Sequence, residues 1–229
     1  MNHVLDNPIW HALTGPHRGF ALGAGLARQY PRDMAPFAAV ERASATAYAD
    51  LAVDLPPDTE ARLFRTTDEP LPEGWSRIDA FPMLQMVARH AAMEATDPVQ
   101  LSTLAPSDAE AMINLVDAAK PGPFGRRTPE MGRYVGVWED SRLLAMAGER
   151  IRVPGYVELS GIATHPDARG RGLASRLTRE LMRMALDHGE TPFLHVRVGN
   201  PAIALYERLG FEVRREIWVL WRKPIGAGG

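Results

Sequence analysis

Between Thr164 and Leu177 the chain reads THPDARGRGLASRL, a glycine- and arginine-rich turn set between a strand-like run and a helical one. This stretch restricts the fold more than any other. A strand that runs into such a turn and leaves it as a helix keeps the helix's first N–H groups unpaired at the positive end of its dipole, a ready seat for phosphate. Gly170 and Gly172 let a ligand approach the main chain. Arg169, Arg171 and Arg176 add fixed positive charge on planar groups suited to phosphate oxygens. The turn therefore predicts a guest that carries a pyrophosphate.

The segment GRGLAS also looks like a truncated dinucleotide fingerprint, with Glu190 about twenty residues on as a ribose partner. Two observations weigh against that reading. Ser175 stands where the third glycine belongs, and the strand feeding the turn follows antiparallel-looking strands instead of opening a βαβ unit.

The flanks supply the frame. GRYVGVWEDSRLLAMAGERI reads as two strands around an EDS turn, and GYVELSGIAT as a third that ends before His165-Pro166. After the turn, Leu173, Leu177, Leu181, Met184 and Ala185 share one helical face, and Gly189 is placed to end the helix. PFLHVRV is the next strand. Asn200 caps a short helix with Pro201 at its first position and Gly210 past its end, and FEVRRE and IWVLWRK read as two closing strands. Upstream, Ser107 and Glu110 form a capping-box pattern for a helix, which KPGPFGRRTPE breaks with a Pro/Gly loop, a candidate lid.

The first half carries no comparable motif. It holds short apolar runs and one helical pattern, FAAVERASATAYADLAVDL, in which Phe37, Val40, Ala43, Ala47 and Leu51 recur at three- to four-residue spacing. GAGLAR, which imitates a phosphate turn, has no clear helix after it and reads as a strand. A polar, turn-rich stretch, EATDPVQLSTLAPSDAE, divides the halves, with 1–96 as a first lobe and 97–229 as a second. Only the tail GAGG is low in complexity.

Composition narrows the chemistry. The chain's 229 residues, 45% hydrophobic, fill a real core, and 26 basic against 28 acidic residues give a formal charge of −2, so no global field points to nucleic acid or to an anionic membrane. There is no cysteine, which removes disulfides, thiolate metal sites and acyl-thiol intermediates. Seven histidines show no metal-ligand spacing, so no metal is expected, and His195, within an apolar strand, reads as structural. The start lacks a leader pattern and no stretch approaches eighteen apolar residues, which predicts a soluble, cytoplasmic protein.

Arg169-Gly170-Arg171-Gly172-Leu173-Ala174 fits the R/Q-x-x-G-x-G/A signature, and NPAIALYERLGF is similar to an N-x-x-A-x-x-L-Y-x-x-x-G-F helix and strand. On these two motifs, in this order, residues 98–224 resemble the GNAT superfamily of N-acetyltransferases. The opening NPIWHALTGPHRGFALG resembles a two-lobed subgroup in which a degenerate GNAT-like lobe precedes the active one. The resemblance implies an α+β fold with a mixed, mostly antiparallel sheet flanked by helices. It also implies acetyl-CoA as co-substrate, a primary amine of a small molecule or peptide as acceptor, and direct transfer in a ternary complex. Ile162, Ala163, Thr164, Arg169, Gly170, Arg171, Gly172, Leu173, Ala174, Ser175 and Asn200 are the implied cofactor contacts. One departure concerns Asn200: the family's Asn stands seven residues before the Tyr, and that position here is Gly199.

The reaction needs a proton taken from an amine, a stabilised oxyanion and a proton returned to a thiolate. Glu158 alternates onto one face with Ser160 and Ile162, upstream of the turn, and is the expected base. Glu149 on the neighbouring strand is the reserve. The resemblance places Tyr206 as the acid, and a phenol near 10 suits a thiol near 8.5. Main-chain N–H groups of Ile162 to Thr164 would hold the oxyanion if the next strand splays away, with Gly161 marking a bulge. Phe124, Arg126 and Arg127 border the acceptor in this reading, the arginines suiting an acidic one. An acyl-CoA-binding sensor without chemistry is the alternative, and the first lobe could cover the acceptor, form a homodimer or support the second.

Overall fold

A computed structural model describes residues 3–55, 59–89, 101–120 and 122–225. The first half supplies α1 (Pro8–Leu13), β1 (Ala27–Gln29), β2 (Ala38–Val40), α2 (Ala45–Asp54), β3 (Ala61–Arg65) and β4 (Trp75–Ala88). The second half supplies β5 (Ser102–Leu104), α3 (Ala109–Ala119), β6 (Tyr134–Glu139), β7 (Arg142–Val153), β8 (Tyr156–Thr164), α4 (Leu173–Asp187), β9 (Thr191–Arg197), α5 (Ile203–Arg208) and β10 (Phe211–Pro224).

Eight strands form one sheet in the order β3-β10-β4-β9-β8-β7-β6-β5, antiparallel except for the β8–β9 pair. β1 and β2 pair separately. The fold is thus α+β with a mixed, mostly antiparallel sheet, as the resemblance implies. β4 is the unexpected member. It comes from the first half yet lies between β9 and β10, pairing with both. The boundary placed near residue 97 lies outside the described residues, and so does the tail GAGG.

Each face of the sheet has its own cover. On one, α4 buries Leu173, Leu177, Leu181 and Ala185 against Val135, Val137, Leu159, Leu194 and Val196. At about 1.5–3 kcal/mol per buried aliphatic side chain, this amphipathic face is what holds α4 in place. Gly189, at φ +73°, ends the helix as its sequence position predicts. On the other face, α1 and the segment from Tyr30 to Phe37 pack on Ile151, Val153, Phe193, Ile217 and Val219. There α3 covers Met146 and Ala163. The EDS turn forms as expected, with Asp140 and Ser141 both at positive φ, the twist a two-residue hairpin requires.

Four local expectations need correction. The helical pattern over 37–51 divides: Ala38–Val40 pair with β1, and the helix starts at Ala45, where the Ser44 hydroxyl accepts the Ala47 N–H at 3.1 Å. FEVRRE and IWVLWRK are one strand, because no turn residue separates them; a bulge at Arg214 absorbs the irregularity. No Ser107–Glu110 box forms. Pro106 starts a 3₁₀ turn instead, and the Asp108 carboxylate accepts the Ala105 N–H at 2.8 Å. Finally, α5 begins at Ile203, two residues beyond Pro201.

Candidate active site

The decisive geometry is a gap in the sheet. β8 and β9 pair only through Tyr156–Glu158 and Thr191–Phe193. Beyond that point β9 continues beside β4, while β8 stays with β7 as far as Thr164 opposite Ala145. From Leu159 to Thr164, one edge of β8 therefore has no strand beside it among the described residues. Ser160 pairs with Gly148 and Ala163 with Met146, so Gly161 and Ile162 together oppose Ala147. This is a bulge, with Gly161 at φ +61°, a conformation glycine adopts without strain. Ile162, Ala163 and Thr164 lie along the gap.

At the far end of β8, Pro166–Ala168 form a 3₁₀ turn and the chain enters α4 through Gly170 at φ +78° and Gly172 at φ +72°. Among the described residues, no atom beyond the chain neighbours lies within 4 Å of a Cβ placed at either glycine, so the main chain is bare on that side. Arg169 to Gly172 are exposed, while Leu173 is buried in the α4 core and Ala174 and Ser175 are half-buried. Arg171 pairs with Glu139 at 3.0 Å, both exposed, an ion pair weak enough for a phosphate to displace. Bare glycines, unpaired helix N–H groups and three arginines fit a pyrophosphate. Asn200 does not bring an uncommitted oxygen here: its Oδ1 accepts the Ala202 N–H at 2.8 Å.

Glu158 stands where the gap opens, as the last residue of β8 paired with β9. Its carboxylate is buried and accepts Arg150 Nε on Oε2 and Arg150 Nη2 on Oε1, both at 3.1 Å. His195 Nδ1 bonds Oε1 at 2.8 Å. Phe37 lies 4.7 Å from the Arg150 guanidinium. Burial pushes the carboxyl up, but Arg150 and then His195 more than reverse this, to about 2. The expected base is thus an ionised, well-anchored carboxylate with little proton affinity of its own. Arg150 and His195 were not singled out as site residues. The available signal was that Phe193 and His195 alternate onto one face of a strand beside Glu158.

Glu149, the reserve, faces the other way. It is buried between Arg133, at 2.5 Å, and Arg152, at 2.9 Å, whose further partners are His188 and Glu190 at the end of α4. It does not share the polar cluster of Glu158.

Tyr206 is buried on α5 in the core shared by Leu159, Leu194 and α4. It lies on the face opposite Glu158, with the β8–β9 gap between them. Its ring is edge-on to Phe211, and its hydroxyl has no hydrogen bond among the described residues. Burial pushes the phenol up to about 12, which loosens the expected match to a thiol near 8.5 while keeping the donor loaded.

The stretch read as a lid is fastened down. Thr128 Oγ1 donates to the Met34 carbonyl at 2.6 Å and accepts the Gly125 N–H, and the Arg127 N–H donates to the Asp33 carbonyl at 2.9 Å. Arg127 is further committed to Glu130 at 2.8 Å, whereas Arg126 is exposed. Phe124 meets the Tyr134 ring edge-on, and both rings border Gly161. The loop is a wall on the Glu158 side of the gap.

Comparison with known proteins agrees with this geometry. The family model described as FR47-like protein matches residues 134–219. The N-alpha-acetyltransferase RimI of Mycobacterium tuberculosis is 33% identical over 129 residues, covering 51% of this chain and 80% of that protein. The crystal structure of a putative GNAT-family acetyltransferase from Novosphingobium aromaticivorans superposes with a TM-score of 0.89 at 37% identity, covering 97% of this chain and 99% of that one. A GCN5-related N-acetyltransferase from Kribbella flavida shares the fold, with a TM-score of 0.61 at 18% identity over 96% of this chain and 95% of its own. The gapped sheet, the bare glycine turn and these relatives together make the chain a member of the GNAT superfamily, an N-acetyltransferase.

Proposed function

We propose that the protein transfers the acetyl group of acetyl-CoA directly to a primary amine of a small molecule or peptide, with the α-amino group of a peptide as the first acceptor to test. The observation that carries this is the loss of β8–β9 pairing at Glu158, six residues before the end of β8 at Thr164. At roughly 3.3 Å per residue, that free edge runs about 20 Å, the reach of an extended pantetheine arm. Arg169 to Ser175 would hold the pyrophosphate, and the edge at Ile162, Ala163 and Thr164 would bond the arm as an added strand does. The thioester then falls near the mouth of the gap.

There the amine lone pair forms the C–N bond, the carbonyl becomes an oxyanion held by main-chain N–H groups of β8, and collapse breaks the C–S bond. Tyr206 donates its proton to the departing sulfur and regains one from solvent. The proton of the new ammonium leaves to a water held on the unfilled acceptor position of Glu158 Oε2, and from there to solvent. A carboxylate near 2 cannot strip a lysine-like ammonium, but an α-amino group near 8 is partly neutral at physiological pH and needs only a place to shed a proton after attack. That consideration, with the name of the Mycobacterium tuberculosis relative, is why a peptide amino terminus comes first.

The test is acetyl-CoA thiol release over peptide amino termini, amino acids, polyamines and aminoglycosides. Amine-dependent release for at least one class is the expected result. Release no faster than hydrolysis across all four, with acetyl-CoA bound, would overturn the reading in favour of an acyl-CoA sensor.

A further inference from the structure

A row of polar side chains crosses five adjacent strands on the face that α1 covers. Arg214 on β10, Gln85 on β4, His195 on β9, Glu158 on β8 and Arg150 on β7 are joined hand to hand. Gln85 and His195 are register partners, and Arg214 is the bulged residue of β10. Gln85 is fully buried, and its bonds fix which end of the amide is which. Arg214 Nη1, which can only donate, lies 2.6 Å from Oε1, and the Leu5 carbonyl, which can only accept, lies 2.9 Å from Nε2. The second amide hydrogen is left for His195 Nε2 at 3.0 Å. A donor aimed at that nitrogen requires it to be bare, so the ring's proton sits on Nδ1, which faces Glu158. Phe64 and Phe193 hold the ring in place, with centroids 4.8 and 5.6 Å away.

We infer that Gln85 is a positioning residue for acetyl transfer: its amide and the acceptor-only Glu158 carboxylate, one on each ring nitrogen, together hold His195 as the Nδ1-protonated tautomer, and His195 and Arg150 then leave one acceptor position of Glu158 Oε2 without a donor. Arg214 is itself anchored on Asp6 at 2.7 Å, which ties the turn at Val4–Asp6 to a row that ends on Glu158, three strands from β10. The same amide turned over would set its NH₂ against Arg214 and its oxygen against the Leu5 carbonyl, two repulsive contacts in a buried place. The inference rests on the reading of Glu158 given above.

Long-range ¹H–¹⁵N spectra of the histidine rings in the wild-type protein at neutral pH test it directly. The expected pattern for His195 is a protonated Nδ1 and an unprotonated Nε2; a protonated Nε2 overturns the inference. In Glu158→Gln, where residue 158 no longer dictates a donor at Nδ1, Gln85 alone should keep Nδ1 protonated, and in the Gln85→Met, Glu158→Gln double variant the ring should populate both tautomers. In Gln85→Met the ring loses its anchor at Nε2, and turnover on a short peptide with a free amino terminus should fall at least tenfold, with acetyl-CoA affinity by calorimetry within twofold of wild type. Unchanged turnover in Gln85→Met, or a His195 still protonated only on Nδ1 in the double variant, would also overturn it. Undiminished turnover in Glu158→Gln, with His195 still protonated on Nδ1, would instead remove the role given to Glu158.

Discussion

Replacing Glu158 by Gln keeps the side chain's shape and removes its charge, which makes it the sharpest probe of the buried cluster. The size of the effect follows from two routes. A carboxyl held from 4.5 down to about 2 stabilises the folded state by about 3 kcal/mol at neutral pH, taking about 1.4 kcal/mol per pH unit. Breaking a buried ion pair from one side costs about 3–5 kcal/mol, because the partner charge, here Arg150 under Phe37, is left uncompensated. The two agree on about 3 kcal/mol. The sign follows from the direction of the shift. A lowered carboxyl contributes stability that is complete above 4.5 and is lost as pH falls toward 2. Urea unfolding of both proteins at pH 7 and pH 3 should therefore show a gap of about 3 kcal/mol that shrinks to about 1 kcal/mol at the lower pH. Other carboxylates titrate in both proteins and cancel in the difference. A gap of the same size at both pH values, or one below about 1 kcal/mol at pH 7, would refute the picture of an anchored, ionised Glu158.

Three further outcomes follow from the site. Arg169→Ala combined with Gly172→Glu should weaken acetyl-CoA binding at least about 100-fold by calorimetry with the circular dichroism spectrum unchanged, since a Cβ at Gly172 meets no described atom, the strain of its φ of +72° costs only about 1–2 kcal/mol, and the loss of affinity falls on the anion seat. Tyr206→Phe should lower kcat by about 10²-fold or more while leaving the acetyl-CoA Kd within twofold, and equal rates would remove its acid role. Gly148→Ala should cost at least about 1–3 kcal/mol in urea unfolding, because the new methyl would overlap the fully buried ring of Tyr134, and full stability would show that the sheet yields there.

The turn at Arg169–Ser175 was legible because its chemistry is local: glycine, arginine and a following helical stripe lie within a dozen residues. The strands around it were legible for the same reason, through alternation and the EDS turn. What escaped was whatever depends on neighbours. Alternation shows that Gln85 and His195 each point to one face, yet nothing in it says that β4 lies beside β9. The long strand over 211–224 read as two because the polar run Arg214-Arg215-Glu216 interrupts its apolar alternation, and Arg214, the bulged residue of that run, is the side chain that reaches Gln85. The stretch over 120–130 reads as a candidate lid from its prolines and glycines. Its fastening to Asp33 and Met34 is a contact across more than ninety residues.

The place of β4 also explains how a splayed sheet can remain stable. Once β9 parts from β8, it would present a free edge on that side, and β9 is only seven residues long. β4 pairs with it on the other side from Met83 to Val87, and the same strand pairs with β10 along nearly its whole length. The first half thus supplies the support that lets the gap stay open for a cofactor instead of closing into a continuous sheet. It also supplies the polar end of the row that reaches Glu158, through Gln85 and Asp6. If Gln85 positions His195 as proposed, support and positioning come from the same strand, and Gln85→Met is expected to lower turnover while substitutions of its apolar neighbours on β4 lower stability, although β4 belongs to the half of the chain without a catalytic motif.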